Sequence, residues 1–209
     1  MNISLEETTM TQDADETRLG GRVALFDPAR LDAVQKSLYD QVLRDIVPWA
    51  EKAGFRSTDS DDRLIGPFNA MLFSPDVSKP FLALQMAEEG GTSLSNRARQ
   101  VVILSVGSVW KAPYELYAHS AVARTTGLDD NTIRALKNGE PCEELSDDEQ
   151  VAQRFTLRLI TERRVDADLF VDAQQAFDNK GLLEMLVLIA CYQTVCSVLN
   201  VFEIPAPPS

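Results

Sequence analysis

The sequence predicts an all-α protein. Apolar residues recur at helical spacing, helix-start and helix-stop residues bracket those segments, and no strand-type alternation is present. Residues 1–20 are polar, acidic and threonine-rich up to Gly20-Gly21 and read as a disordered tail, leaving one domain over residues 21–209. Across residues 28–53, Leu31, Val34, Leu38, Val42 and Ile46 share one helical face, and Gly54 supplies a stop. Residues 57–63 form a polar loop. Residues 66–73, from Gly66 and Pro67 to Leu72 and Phe73, are too Gly/Pro-marked for a plain helix and too apolar for a surface loop. They read as a loop that packs inward.

The remainder is helical. Residues 76–89 are closed by Gly90-Gly91, and residues 96–110 have Ser93 or Ser95 as candidate N-caps. Pro113 opens a helix at a position where its missing N–H costs nothing, and Gly127 ends it. Residues 130–137 stop at Gly139. Ser146 and Glu149 form a capping box for a helix to Arg163, and residues 166–177 and 180–202 complete the set.

Composition narrows the function. A chain with 44% hydrophobic and 25% charged residues has a real core. Its formal net charge of −12 argues against nucleic-acid binding and against docking to anionic lipid. The acidic clusters at Glu6 to Glu16, Asp59 to Asp62 and Glu143 to Glu149 read as solvated surface. Three cysteines (Cys142, Cys191, Cys196) and an N-terminus with neither a basic nor an apolar leader pattern point to free thiols in a reducing cytoplasm. Residues 182–202 are apolar enough to raise the question of a membrane span. Glu184, Gln193, Ser197 and Asn200 interrupt them, so a helix buried on most sides, within an oligomer, is the expectation, with no membrane anchor. The stripe Gln193, Ser197, Asn200 reads as interhelical hydrogen bonding.

The chain has a single histidine, His119, so any imidazole chemistry happens there. Glu115 precedes it by four residues and shares its helical face. A carboxylate beside an imidazole orients it and suits general acid–base work. The same spacing also arises in ordinary surface pairs and satisfied buried histidines, and a carboxylate near a helix start is favoured by the dipole alone. One histidine and one carboxylate supply only two metal ligands, so no metal is expected. Gly20-Gly21 and Gly90-Gly91 lack the strand context of a phosphate or dinucleotide loop, so no cofactor is expected either.

The run Leu94 to Leu104 with Arg97, Arg99 and Gln100, then Tyr114-Glu115 and His119, then Ala123, Gly127 and Leu128, closely resembles the core of carboxymuconolactone decarboxylases. Gly66 to Leu72 upstream, Tyr192, and the ending Leu199, Asn200, Phe202, Pro205 are similar too, so the resemblance covers roughly residues 22–208. It implies a helical fold shared with the alkylhydroperoxidase D group, assembled as trimers or hexamers. In that peroxidase branch a C-x-x-C pair precedes the histidine; those positions here are Ala112 and Glu115, neither of which forms a thiolate. Cys191 and Cys196 point in different directions on one apolar helix and do not replace the pair. Relatives commonly carry a glutamate where Gln100 stands, and glutamine exchanges no proton at ordinary pH.

The reaction the resemblance implies is cofactor-free loss of CO₂ from a small, anionic, carboxylated lactone. His119 is cast as proton donor and Glu115 as the group that orients or recharges it. Arg97 or Arg99 would hold a substrate carboxylate. Asn69, Gln100, Tyr114, Tyr117 and Tyr192 are the polar groups expected around the substrate. A binding or scaffold protein that kept the fold and lost the chemistry is the competing reading. Burial of the Glu115–His119 pair with an arginine opposite favours the enzyme, and exposure to bulk solvent favours the scaffold.

Overall fold

Proline and glycine set many of the helix boundaries in the computed structural model, which describes residues 18–208. Asp27 caps a short 3₁₀ turn, Pro28–Arg30, and Asp32 with Gln35 forms a capping box for α1, Ala33–Asp45. Pro48 lacks the N–H that would continue α1, so α2, Val47–Ala53, begins anew and ends at Gly54 (φ 88°). The single helix expected over residues 28–53 is therefore three pieces. Where an inward-packing loop was expected, a five-residue helix α3, Pro67–Met71, starts after Gly66 (φ 64°) and is buried throughout. α4 is Pro75–Gly91.

Ser95, not Ser93, caps α5, Asn96–Trp110, by accepting from Ala98 N. α6 is Pro113–Thr125, α7 is Asp130–Asn138, and α8 is Asp147–Glu162 with the capping box present. α9, Ala167–Val201, joins the two expected helices across a break at Asp178 (φ 53°). The Asp178 carboxylate accepts from Lys180 N and Gly181 N, which restarts the helix. Among the described residues there is no strand; the one isolated bridge pairs Thr58 with Leu64. The protein is all-α.

Within the span expected as one domain, the chain forms two compact units. The first comprises residues 18–79 and 198–208, with Leu38, Val42, Leu64, Ile65, Leu72 and Ile204 in its core. Of the expected disordered tail, residues 1–17 lie outside the described residues. Residues 18–20 make a turn, closed by Gly21 N donating to Arg18 O, that buries Leu19.

The second unit, residues 80–197, is organised around α5, which is buried from Ala98 to Gly107. Val101 and Leu104 of α5 pack with Ala123, Leu128, Ile133, Leu136, Cys142 and Leu145. α9 is long and apolar enough to span a membrane by length and composition, but 44% of its most apolar window is buried inside the protein, and Met185, Leu188 and Cys196 are fully enclosed. It packs as a core helix.

Candidate active site

The local sequence puts an acid and an imidazole inside the second unit. Pro113 starts α6, which places Glu115 in its first turn and His119 one turn later. Both are buried, 3% and 6% exposed. Opposite them, Gly107 of α5 leaves room for α6: a Cβ there would fall 2.9 Å from Leu116 Cδ2 and 3.4 Å from Glu115 Cγ. Close approach of the two helices brings Gln100 to the imidazole, with His119 Nδ1 2.9 Å from Gln100 Oε1. His119 Nε2 lies 3.3 Å from Glu115 Oε1, yet the contact is poorly aligned and Glu115 Oε1 has no hydrogen-bond partner. The ring of Tyr192, from α9, meets the imidazole edge-on at 4.9 Å and 89°. On the same helix as Gln100, Arg99 donates to Glu88 Oε2 at 2.5 Å, while Glu88 Oε1 is buried without a partner.

Burial sets the protonation states. It pushes the Glu115 carboxyl up to about 8. It pushes His119 down to about 3, with the Arg99 guanidinium adding to the effect. Burial, outweighing the pull of Arg99, also raises Glu88. It raises the Tyr192 phenol, helped by Glu115. At neutral pH the site therefore holds a protonated Glu115 beside a neutral His119, an arrangement that offers a general acid where an ordinary glutamate would be ionised.

Of the residues singled out from the sequence, Glu115, His119, Gln100, Arg99 and Tyr192 come together. Arg97 does not join them; it is bound bidentately by Glu149 at 2.8 and 3.2 Å and donates to Gly127 O. Asn69 belongs to the first unit, where it accepts from Phe26 N and donates to Ala24 O. Tyr114 and Tyr117 pack edge-on against each other at 5.9 Å on α6. Cys191 and Cys196 are free and buried, and burial raises both thiols. Ser197 Oγ bonds back to Gln193 O of its own helix rather than across to another. Glu88 is the group sequence reasoning missed. A carboxylate in the last turn of a helix opposes the dipole, and that misplacement was the available signal.

No protein-family model and no curated protein matches this chain in sequence. Solved structures do match. An alkylhydroperoxidase AhpD core, a peroxidase-related protein from Ralstonia eutropha JMP134, superposes with a TM-score of 0.72 at 14% identity, covering 90% of this chain and 92% of that one. A peroxidase-related protein from Silicibacter sp. TM1040 gives 0.69 at 13% identity, covering 90% and 92%. The chain has the alkylhydroperoxidase D-like fold. Bearing the same fold, a cysteine-to-alanine variant of the debrominase Bmp8, in complex with 2,3,4-tribromopyrrole, is similar over 89% of this chain and 93% of that one, with a TM-score of 0.68 at 16% identity. The alkylhydroperoxidase D-like fold is the one that the resemblance to carboxymuconolactone decarboxylases implies.

Proposed function

We propose that this protein is a cofactor-free, decarboxylase-like lyase acting on a small carboxylated ring metabolite, with Glu115 as the proton donor. The observation that carries this reading is a carboxyl and an imidazole buried together 3.3 Å apart, with burial pushing the carboxyl up and the Arg99 guanidinium acting on the imidazole. A solvated pair would have favoured a scaffold. Decarboxylation consumes one proton: the C–CO₂⁻ bond breaks, its electron pair passes into the adjoining electron sink, and the vacated carbon takes a proton. Glu115 supplies that proton and regains one from solvent. The acid proton faces His119 Nε2 across a long 3.3 Å contact, so it is held only loosely. This exchanges the roles assigned on sequence, because an imidazole driven down to about 3 is a poor cationic donor at neutral pH.

Arg99 is the cation available to a substrate carboxylate, which would exchange with Glu88. Thiol peroxidase chemistry has no support: the cysteines are buried and their thiols are held protonated. A small cyclic ligand on a debrominase of the same fold is compatible with a ring substrate here. The reading includes assembly of identical copies, supported by exposed Leu84, Met86, Leu183 and Leu186 on the second unit. CO₂ release from a panel of carboxylated lactones tests it. Turnover that collapses in Glu115→Gln and His119→Ala supports the assignment. No release from any lactone, with the variants folded as the parent, sinks it.

A further inference from the structure

We infer that Gln100 is a positioning residue: its side-chain carbonyl accepts the Nδ1–H of His119 and holds the chain's only imidazole in the tautomer whose Nε2 lone pair faces Glu115. The tautomer follows from the geometry below, while its catalytic consequence rests on the proposed function.

Gln100 Oε1 is an acceptor with no proton to give, and it stands 2.9 Å from Nδ1, so the ring nitrogen must be the donor. In a neutral imidazole the second nitrogen is then a bare lone pair. That lone pair is the one turned to Glu115 Oε1, 3.3 Å away. With the imidazole neutral, a carboxylate oxygen opposite that lone pair would repel it, so the arrangement goes with a Glu115 that carries its proton. Turning the amide over would make Gln100 the donor to Nδ1 and place Nε2–H against Glu115. An Nε2–H at that place would serve Glu115 Oε1, 3.3 Å away, but that oxygen has no aligned donor, which favours the tautomer that carries its proton on Nδ1.

The groups around the ring agree. Glu115 faces it from α6, Arg99 and Gln100 from α5, and Tyr192 from α9. Arg99 opposes a positive imidazolium, and the tyrosine ring contributes no charge. A glutamate at position 100 would accept the same Nδ1–H but would add a negative charge that draws a proton onto the ring. Glutamine keeps the acceptor and omits the charge. The site is thereby kept neutral apart from the Arg99–Glu88 pair, and the proton stays on Glu115.

A single histidine makes the test direct, because full-length protein labelled with ¹⁵N-histidine gives one imidazole spectrum. At pH 7 the parent is expected to show a proton-bearing Nδ1 and a pyridine-type Nε2. In Gln100→Leu, which fills the space and accepts nothing, the proton is expected to leave Nδ1 for Nε2. In Gln100→Glu, Nδ1 is expected to keep its proton, and the ring should titrate about 1–3 pH units higher than in the parent. The inference is overturned if the parent carries its proton on Nε2, or if a folded Gln100→Leu keeps it on Nδ1. Should Gln100→Leu fail to fold, the parent spectrum and Gln100→Glu still decide the matter. None of these readouts needs turnover, so failure of the decarboxylase assay leaves the tautomer result standing, and the reverse also holds.

Discussion

Arg97 and Arg99 stand two residues apart on α5, each paired with a glutamate, and the two pairs are built oppositely. Around Arg97 both carboxylate oxygens are served. Glu149 Oε1 accepts from Arg97 Nε, Oε2 accepts from Arg97 Nη2 and Ser146 N, and Arg97 Nη1 donates to Gly127 O. Burial alone would raise Glu149, but the hydrogen bonds from Arg97 and Ser146 outweigh it and hold the carboxyl below its ordinary value. On the Arg99 side, Glu88 has one oxygen served and one orphaned, Glu115 beside the His119 on which Arg99 acts has an orphaned oxygen too, and both carboxyls are pushed up. A satisfied glutamate locks two helices and a loop together. Each orphaned buried oxygen instead costs about 1–3 kcal/mol, and such costs concentrate where a fold carries chemistry.

The largest expected effect follows from that contrast. Glu115→Gln should lower turnover about 10²–10⁴-fold, the contribution of a positioned general acid, while leaving the thermal midpoint unchanged or slightly higher. Glu149→Ala should do the reverse. It removes a capping-box side chain and strands Arg97, a loss of about 2 kcal/mol, with turnover retained. Calorimetry and the CO₂ assay on both variants check this together. A Glu115→Gln that unfolds, or a folded Glu149→Ala that is inactive, breaks the division between lock and site.

Much of this was legible from residue order. Ser146 and Glu149 announce their capping box, Pro113 and Gly139 mark helix limits, and the four-residue spacing of Glu115 and His119 fixes their shared face. The breaks at Ile46 and Asp178 were partly hidden. Pro48 signals the first, while Asp178 adopts a positive φ that only its own cap bonds to Lys180 N and Gly181 N sustain. The contents of the site were legible only in part. Arg97 and Arg99 look equivalent in sequence, since a two-residue offset on a helix turns one towards Glu149 and the other towards Glu88. Which partner each meets depends on packing between helices. Glu88 carried only the weak signal of a carboxylate in the last turn of its helix, its pairing with Arg99 depends on the same packing, and the protonation of Glu115 depends on burial that no local pattern encodes.

A smaller effect separates the two carboxylate environments by pH. Glu115 has a folded value of about 8, above its unfolded value of roughly 4.3, so its stabilising effect is complete below the unfolded value and is lost as pH rises towards 8. His119, lowered to about 3, acts oppositely between about 3 and 6.5 and offsets Glu115 where the windows overlap. From about pH 6.5 to 8 Glu115 acts alone. Stability should then fall by about 1.4 kcal/mol per pH unit, read as a drop in the denaturant midpoint. Glu115→Gln should flatten this limb. A parent whose stability is level from pH 6.5 to 8 would mean that Glu115 is ionised and that the site is not a neutral acid.

The smallest expected effect lies at the acid end, in a third carboxylate that sides with Glu149. Glu184 Oε2 accepts from Ser93 N, Ser93 Oγ and Thr92 Oγ1, and Lys180 lies 3.1 Å from Oε1. The Ser93 backbone bond, then the Ser93 hydroxyl and Lys180, hold this carboxyl at about 2. Its folded value is below the unfolded one, so its contribution is present above roughly pH 4.3 and disappears as pH falls towards 2. In Glu184→Gln the amide oxygen still accepts from Ser93 N, so the variant should be only slightly less stable at pH 7. Its urea midpoint should converge on that of the parent by about pH 2. A deficit that stays constant from pH 7 to pH 2 would assign Glu184 a packing role in place of a charge-dependent one. The satisfied carboxylates would then no longer form one class set against Glu88 and Glu115.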